Sequence, residues 1–335
     1  MISLRQQLGL LRSLLMYYAI PLRIRRLARF YAQFVRPGDL CFDIGAHVGN
    51  HIAAWSRLDA RVVAVEPQPR LMAWLRQVYG RQSHVTLVEA AVGAQPGTEV
   101  MYVSRRTPTV TTLSSEWMAA VRRDSSFAGV EWDESVAVAV TTLDALIGRF
   151  GEPAFCKIDV EGYELEVLRG LSTPVRALSF EYIPAAMDTA VACIERLAQL
   201  GSYEYKWSVG ESHRLQPAGW LSPRQIIPQL QSLPAGSRSG NVCGRLLGIG
   251  DWRIDMLRMG AESERSPQDV LAAAVEFFGP DGIGLEVALR SDDTVRFEGG
   301  GGHVAVQVQP KDGGAELDIE TREWEYQVRQ FLKDI

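Results

Sequence analysis

Cysteine is scarce in this 335-residue chain, and the cysteines it has are scattered. They are Cys41, Cys156, Cys193 and Cys243, and no two of them form a C-x-x-C pair. Cys41 and Cys156 fall in apolar runs that predict buried strands. The spacing excludes a disulfide scaffold and a cysteine zinc site, and buried thiols fit a reducing, cytoplasmic location.

The chain also lacks an excess of positive charge and a long apolar run. Its net charge is −5, which gives no bulk signal for a nucleic-acid partner. The apolar run over residues 8–22 is interrupted by Arg12, has no small-residue cleavage site and is short for a membrane span. At this length we expect more than one domain.

Acidic residues are missing before Asp39, whereas basic residues are frequent there. The basic positions are Arg5, Arg12, Arg23, Arg25, Arg26, Arg29 and Arg36. Apolar residues at near-helical spacing, which are Leu8, Leu11, Leu15, Tyr18 and Leu22, predict a helical extension over residues 1–36. It is either a basic amphipathic helix in weak contact with an anionic membrane surface, or a helix packed on the edge of the next domain.

The first strand and turn do not contain the G-x-G-x-x-G pattern that binds dinucleotides. Residues 40–44 predict a buried strand, Gly45 and Gly49 a tight turn that a ligand can approach closely, and Asn50 the start of a helix. The glycines are spaced G-x-x-x-G and follow Asp43. A carboxylate at that position repels a phosphate but suits an ammonium group.

The next predicted strand, residues 61–66, ends in Glu66, about 20 residues beyond the first turn. From that position a carboxylate accepts hydrogen bonds from both hydroxyls of a ribose. An acid for an ammonium group, a glycine turn and an acid for a ribose together describe S-adenosylmethionine as the ligand.

From residue 37 strands and helices alternate, which predicts a parallel α/β sheet. Asp43, Glu66, Asp159 and Glu181 each lie at or near the end of a predicted strand, where ligands bind in doubly wound sheets. The intervening stretch over residues 105–135 has no clear periodicity. It is either a substrate lid or a surface insertion.

The tail changes character after residue 250. A helix over residues 267–278, capped by Ser266, is followed by three or four alternating strands and a last helix. This pattern predicts a small α+β accessory domain over residues 250–335. It could bind substrate, form a homo-oligomer or contact a partner, and the sequence does not choose among these.

Several segments of the chain resemble FkbM-type methyltransferases. They are residues 42–50 (FDIGAHVGN), 63–67 (VAVEP), 90–93 (AAVG), 142–144 (TLD) and 157–170 (KIDVEGYELEVLRG). The resemblance implies a Rossmann-like, seven-stranded class I methyltransferase sheet within residues 37–249. It also implies S-adenosyl-L-methionine as methyl donor and an oxygen acceptor on a sugar or natural product, that is, a small-molecule or glycan acceptor.

The resemblance also implies a set of cofactor-binding residues. They are Asp43, Gly45, Ala46, Gly49, Asn50, Glu66, Pro67, Glu89 and Ala90. The glycine turn surrounds the methionine part in this family pattern. The acid at the end of the second strand holds the ribose, and Glu89 and Ala90 fall where the adenine edge is read.

Candidate catalytic residues are Asp159 and Glu161, with Glu181 following the same logic at the next strand. A carboxylate there could remove the proton of an acceptor hydroxyl, bind Mg²⁺ as one of a pair, or cap the following helix. His47 and His51 flank the turn as loop residues or as bases.

The sequence thus predicts an S-adenosylmethionine-dependent O-methyltransferase. The alternative is a protein that kept the fold and lost the chemistry, acting as a binding or scaffold protein. A nicotinamide-dependent oxidoreductase is a third reading, against which Asp43 and the glycine spacing argue.

Overall fold

The computed structural model describes most of the chain in two compact units. The described residues are 13–14, 18, 22–124, 127–210, 212, 214–234, 236–247, 257–299, 302–322 and 324–335. The first unit comprises Met1–His213 and Leu221–Leu247, and the second comprises Arg214–Trp220 and Gly248–Ile335. The predicted apolar positions Leu8, Leu11 and Leu15 lie outside the described residues. Within the described part, no helix combines the length and the apolar character that crossing a membrane requires.

Strands and helices alternate through the first two-thirds of the chain, as the sequence predicts. The strands are β1 Leu40–Ile44, β2 Arg61–Val65, β3 Val85–Val88, β4 Ala91–Val92, β5 Gly97–Val103, β6 Glu134–Thr141, β7 Phe155–Ile158, β8 Ala177–Tyr182, β9 Tyr203–Val209, β10 Gln216–Leu221 and β11 Gly240–Leu246. The helices are α1 Arg23–Tyr31, α2 Asn50–Ser56, α3 Pro69–Tyr79, α4 Ser115–Val121, α5 Leu143–Phe150, α6 Glu164–Arg169, α7 Met187–Leu200 and α8 Pro223–Gln231.

The central sheet is parallel except near one edge. Seven of its strands, all in the first unit, follow the order β3-β2-β1-β7-β8-β11-β9, and β11 runs antiparallel to β8 and β9. This is the Rossmann-like α/β sheet that the sequence predicts. The chain order reverses at β1, which pairs in parallel with β2 on one side and β7 on the other. Ligands bind at such a switch point, beyond the carboxyl ends of the strands.

The described part of the N-terminal extension packs onto this sheet unit. Helix α1 buries Leu27, Ala28 and Tyr31. The Tyr31 ring lies 5.0 Å from that of Trp55 in α2 and 5.2 Å from that of Phe155 in β7, measured between centroids. Of the two readings of this extension, α1 therefore follows the packed one, since its apolar stripe covers the core.

The stretch over residues 105–135 has more regular structure than its sequence indicates. It contains a 3₁₀ turn, Pro108–Val110, and helix α4. The two strands on either side of it, β5 and β6, pair with each other and form a three-stranded sheet with β4. Because its ends are held by adjacent strands, the stretch returns to the place where it left the sheet.

The second unit has a sheet and a core of its own. Its strands are β12 Leu257–Ser263, β13 Glu286–Arg290, β14 Thr294–Gly299, β15 Gly302–Lys311 and β16 Gly314–Arg322, and its helices are α9 Pro267–Phe278 and α10 Glu325–Asp334. The five strands follow the order β12-β16-β15-β14-β13, and the sequence analysis missed β12. Helix α9 begins as predicted, since the Ser266 side chain accepts a bond from the Asp269 N–H.

Candidate active site

A cavity opens at the carboxyl ends of three neighbouring strands. Gly45 contributes from the end of β1, Glu66 from the end of β2 and Asp159 from the end of β7. Pro67 and Ala90 also line it. The cavity therefore lies at the switch point of the sheet, where the sequence places a ligand.

Glu66 is buried at the wall of this cavity. Its two carboxylate oxygens each accept a backbone N–H, from His47 at 2.8 Å and from Gln68 at 2.9 Å. Burial raises the pKa of Glu66 to about 7, and the two backbone hydrogen bonds oppose that rise. The carboxylate is thereby fixed in position while part of its hydrogen-bonding capacity stays open to the cavity.

The two glycines of the first turn are required by packing. Gly45 and Gly49 have φ of +84° and +86°. A Cβ on Gly45 would overlap the backbone carbonyl oxygen of Asp159, and a Cβ on Gly49 would meet the Tyr79 ring. Gly45 does line the cavity, but its missing side chain makes room for another part of the chain. The sequence predicts that both glycines let a ligand approach the turn closely. In the structure, packing against Asp159 and Tyr79 also requires glycine at these two positions.

Asp43 is not among the residues that line the cavity. Its side chain is fully buried, and neither carboxylate oxygen has a hydrogen-bond partner among the described residues. The nearest cationic partner is the Nδ1 atom of His51 in α2, 3.5 Å away. Because side chains alternate along a strand, Asp43 projects away from the neighbouring cavity residue Ile44.

Four other implied cofactor residues also lie outside the cavity wall. Ala46, Gly49 and Asn50 are buried in the turn and at the start of α2. Glu89 is partly exposed and forms a 2.6 Å ion pair with Arg76 of α3. Glu66, Gly45, Pro67 and Ala90 are the implied residues that the fold brings together.

The three predicted catalytic carboxylates form one cluster. One oxygen of each of Asp159, Glu161 and Glu181 lies within 4.8 Å of the others. The buried Lys157 supplies the adjacent positive charge, with its Nζ 3.0 Å from an Asp159 oxygen. Oxygen ligands at this spacing suit Mg²⁺, so the geometry alone is compatible with either a base or a cation site.

Burial and neighbouring negative charges raise the pKa values of two carboxyls in this cluster, Glu161 and Glu181. Burial raises the pKa of Glu161 well above its ordinary value, and the charges of Glu181 and Asp159 raise it further. The pKa of Glu181 is also raised, mainly by burial and next by the negative charge of Asp159. Burial lowers the pKa of Lys157, but the bonded Asp159 outweighs it, so the net pKa is raised. The cluster thus combines a buried ammonium group with two carboxyls, Glu161 and Glu181, whose pKa values are raised.

A second cavity adjoins the first at Glu161. Glu161 lines both cavities, whereas Asp159 lines the first and Glu181 the second. Arg106 and Arg238 also line the second cavity. Glu161 therefore lies where a molecule in one cavity meets a molecule in the other.

The stretch over residues 105–135 lines both cavities and is anchored to the loop over residues 159–163, here called the carboxylate loop because it carries Asp159 and Glu161. Thr109 lines each of them. The Thr112 hydroxyl donates to the Glu161 carbonyl at 2.6 Å, and the Trp117 ring occupies the space that a Cβ on Gly162 would take. These contacts favour the substrate-lid interpretation over a remote surface insertion.

Sequence reasoning missed the residue that braces this loop. Glu164 is 2% exposed, and its Oε1 atom accepts the N–H groups of Val160 at 3.2 Å and Gly162 at 3.3 Å. Burial raises the pKa of Glu164 to about 7. Its partners are backbone groups, which leave no mark in the sequence.

The histidines that flank the turn divide between two surroundings. His47 lines the cavity, and burial lowers its pKa to about 4, so it is neutral and a weak base near pH 7. His51 faces the buried Asp43 instead. The loop interpretation of His47 therefore fits its surroundings better than that of a base.

Comparison with known proteins gives a domain match and several distant structural likenesses. Residues 43–196 match the family model described as the methyltransferase FkbM domain. A search of curated protein sequences finds no match to the chain.

Among solved structures, the chain is similar to a precorrin-6y C5,15-methyltransferase from Geobacter metallireducens, with 15% identity, 66% of this chain and 87% of that chain covered, and a TM-score of 0.32. It is also similar to Aeropyrum pernix fibrillarin with bound S-adenosyl-L-methionine, with 12% identity, 66% of this chain and 75% of that chain covered, and a TM-score of 0.34. A third similar structure is a TehB-like S-adenosylmethionine-dependent methyltransferase from Corynebacterium glutamicum, with 12% identity, 70% of this chain and 94% of that chain covered, and a TM-score of 0.35.

With TM-scores this low, the family assignment rests on the domain match and on the sheet. The match spans the glycine turn, Glu66 and the carboxylate loop, and the sheet has the predicted Rossmann-like architecture. The match thus places a methyltransferase FkbM domain at residues 43–196 of this chain.

Proposed function

We propose that this protein transfers the methyl group of S-adenosyl-L-methionine to a hydroxyl group of a polar small molecule or glycan. The observation that carries the proposal is the position of Glu161, which lines both cavities within a cluster of three carboxylates. In this assignment the first cavity holds the cofactor and the second holds the acceptor.

The residues of the first cavity fit the cofactor. Glu66 offers a fixed carboxylate to the ribose hydroxyls, and Ala90 with Val92 offers an apolar wall to the adenine ring. Asp159 lies at the carboxyl end of β7, on the other side of β1 from Glu66, as the anionic group for the amino-acid part. The cofactor supplies an activated methyl group on a sulfonium, and the chain supplies binding, orientation and proton removal.

Glu161 is the residue we assign as base. A hydroxyl must lose its proton as the methyl group arrives, and a base is most effective when its pKa is near the working pH. The raised pKa of Glu161 makes its ionised form a stronger proton acceptor than an ordinary carboxylate. Asp159 is engaged by Lys157, so its role is to hold charge and position.

The carboxylate cluster favours an oxygen acceptor over a nitrogen acceptor. A neutral amine attacks a sulfonium with its own lone pair and does not need a base in the transition state, whereas a hydroxyl gains from one. The polar walls of the second cavity, with Arg106 and Arg238, suit a molecule rich in hydroxyl groups.

The first experiment is a calorimetric titration with S-adenosyl-L-methionine and, separately, with NAD. We expect saturable binding of the methyl donor alone. Methyl transfer from isotopically labelled donor to a panel of sugars and matched amino sugars then tests the acceptor, with labelled O-methyl ether expected. Label found only on nitrogen would contradict the assignment of an oxygen acceptor.

The variants Glu161→Gln and Asp159→Asn separate chemistry from cofactor binding. We expect Glu161→Gln to keep its affinity for the donor and to lose turnover by about 10²–10⁴-fold, as removal of a general base predicts. Asp159→Asn removes the negative charge assigned to the amino-acid part of the cofactor, so we expect it to weaken donor binding. Glu166→Gln, which removes a nearby surface carboxylate paired with Arg169, is the matched control and should keep full activity. Full activity in Glu161→Gln would show that the base lies elsewhere.

A further inference from the structure

Two residues from the N-terminal segment contact the first turn from behind the cofactor cavity. The Tyr18 hydroxyl donates to the Val48 carbonyl at 3.1 Å and lies 2.9 Å from the Tyr79 hydroxyl. The Tyr79 hydroxyl in turn lies 3.0 Å from the Gly49 carbonyl oxygen. Each phenol carries one proton and the carbonyl oxygens only accept, so two of these three contacts are hydrogen bonds at any one time.

The second contact is to His47. Ser13 is 1% exposed, and its Oγ atom lies 3.3 Å from the Nε2 atom of the His47 ring. The same histidine donates its backbone N–H to Glu66, and its φ is +48°. Ser13 therefore contacts the same histidine whose backbone N–H bonds the carboxylate of Glu66 at the cavity wall.

The backbone of this turn needs external restraint. A non-glycine residue in the left-handed region costs about 1–3 kcal/mol and persists only when its surroundings hold it. His47 is such a residue, and it is also the residue that bonds Glu66. Contacts on its ring and on the following carbonyl of Val48 are thus placed where they can hold the strained conformation.

We propose that Tyr18 and Ser13 are positioning residues for the cofactor, acting through the turn over residues 45–49 to hold Glu66 toward the cavity. Neither residue lines that cavity, so their effect is indirect. The N-terminal segment, which lies outside the matched domain at residues 43–196, then sets the affinity of the domain for its methyl donor. This inference rests on the proposed role of the first cavity as the cofactor site.

The test uses the full-length chain with Tyr18→Phe and Ser13→Ala. Tyr18→Phe keeps the ring and removes only the hydroxyl, which bonds the turn. The matched control is Tyr203→Phe, which removes a buried hydroxyl bonded to the Val175 carbonyl at 2.7 Å, in the same unit but away from the cavity. The measurements are the dissociation constant for S-adenosyl-L-methionine by calorimetry and the melting temperature.

We expect Tyr18→Phe to weaken donor binding about three- to tenfold, and Ser13→Ala about two- to fivefold, as the loss of one hydrogen bond predicts. Tyr203→Phe should lower the melting temperature and change the dissociation constant less than twofold. A Tyr18→Phe dissociation constant within twofold of the wild type, or one weakened no more than in Tyr203→Phe, would overturn the inference. Absence of donor binding in the wild type would instead remove the cofactor assignment, and the inference with it.

Discussion

Two buried glutamates stabilise the two turns that frame the site. Glu66 accepts the N–H of His47 within the glycine turn and that of Gln68 just after β2, and Glu164 accepts two N–H groups of the loop that carries Glu161. In each case the carboxylate satisfies backbone donors that have no strand or helix partner. Each also has a pKa raised to about 7 by burial.

Replacing Glu66 with Ala should weaken binding of S-adenosyl-L-methionine at least about tenfold. The ribose hydroxyls lose a charged partner worth about 1.5–3 kcal/mol. Calorimetry gives the dissociation constant. Glu89→Ala is the control, because Glu89 pairs with Arg76 outside the cavity wall, and its affinity should stay unchanged. Equal losses in both variants would contradict the placement of the ribose at Glu66.

The raised pKa of Glu164 predicts how stability varies with pH. The folded state binds this proton more tightly than the unfolded state, whose ordinary pKa is 4.5. The stabilising contribution is therefore complete below about pH 4.5 and is lost as the pH rises through about 7.

Glu164→Gln should flatten that dependence, since the amide oxygen keeps both N–H bonds and does not titrate. Between about pH 5 and about pH 7, the free energy of unfolding should fall less steeply than in the wild type, by up to one proton, or about 1.4 kcal/mol per pH unit. Urea denaturation at a series of pH values measures both slopes. Parallel slopes would show that Glu164 does not titrate in this range.

The sequence indicates which residue types form the site better than it indicates where their side chains project. Glu66, Asp159, Glu161 and Glu181 end up together because parallel strands align their carboxyl ends. Asp43 could not be placed in the same way. Strand β1 is buried on both faces, so its residues carry no alternation that distinguishes the cavity side from the helix side.

At the scale of elements, helix α4 and the carboxylate loop are locked together. The Trp117 ring of α4 packs against Gly162, whose φ is +87°, and the Thr112 hydroxyl bonds the Glu161 carbonyl. The same stretch also contacts Gln68, which follows Glu66 closely in the chain. The side-chain amide nitrogen of Gln68 lies 3.4 Å from the Pro108 carbonyl oxygen. One connection thus contacts both turns of the site.

Gly162→Ala should destabilise the first unit and lower turnover by displacing Glu161. The backbone at residue 162 is left-handed, which alanine adopts at a cost, and the added Cβ would also overlap the Trp117 ring. Gly38→Ala has the same left-handed conformation, φ +86°, with open space around the Cβ. We expect the Gly162 variant to lose about 1–3 kcal/mol more than the Gly38 variant, the cost of overpacking. Equal denaturation midpoints would mean that the Trp117 contact yields without cost.

Continuous apolar runs identify the strands of the central sheet from the sequence, whereas the average composition of residues 105–135 conceals a short helix. The strands β1, β2 and β7 are apolar runs ended by acids, and the sequence locates them well. Helix α4 carries a recognisable start, because the Ser114 side chain caps it and Glu116 lies in its first turn. That signal is only seven residues long within a stretch rich in Ser, Thr and Arg, and it was missed.

At the scale of the whole molecule, the second unit has an apolar core built from its own residues. Phe278, Phe297 and Phe331 are fully buried, with ring centroids 5.5 Å apart for the first two. Such a core can be damaged without any change to the cavity residues. The predicted accessory role of this unit, in acceptor binding or self-association, stays a prediction.

Phe297→Ala should destabilise the second unit by about 3–5 kcal/mol, as expected for a buried aromatic ring. Below its transition, the affinity for S-adenosyl-L-methionine should stay within twofold of the wild type. Hydrogen exchange of the backbone amides distinguishes the units, with faster exchange expected over residues 257–335. Equal acceleration across both units would show that they unfold as one.

The overlap that a side chain on Gly45 would make with the Asp159 carbonyl has a consequence for mutational tolerance. Every substitution at Gly45 pushes apart two strand ends, whether or not a cofactor is ever bound. A library selected only for soluble, folded protein should therefore lose variants at Gly45 and keep variants at Glu161. A library selected for methyl transfer should lose both, so the two selections together separate residues kept for packing from residues kept for chemistry.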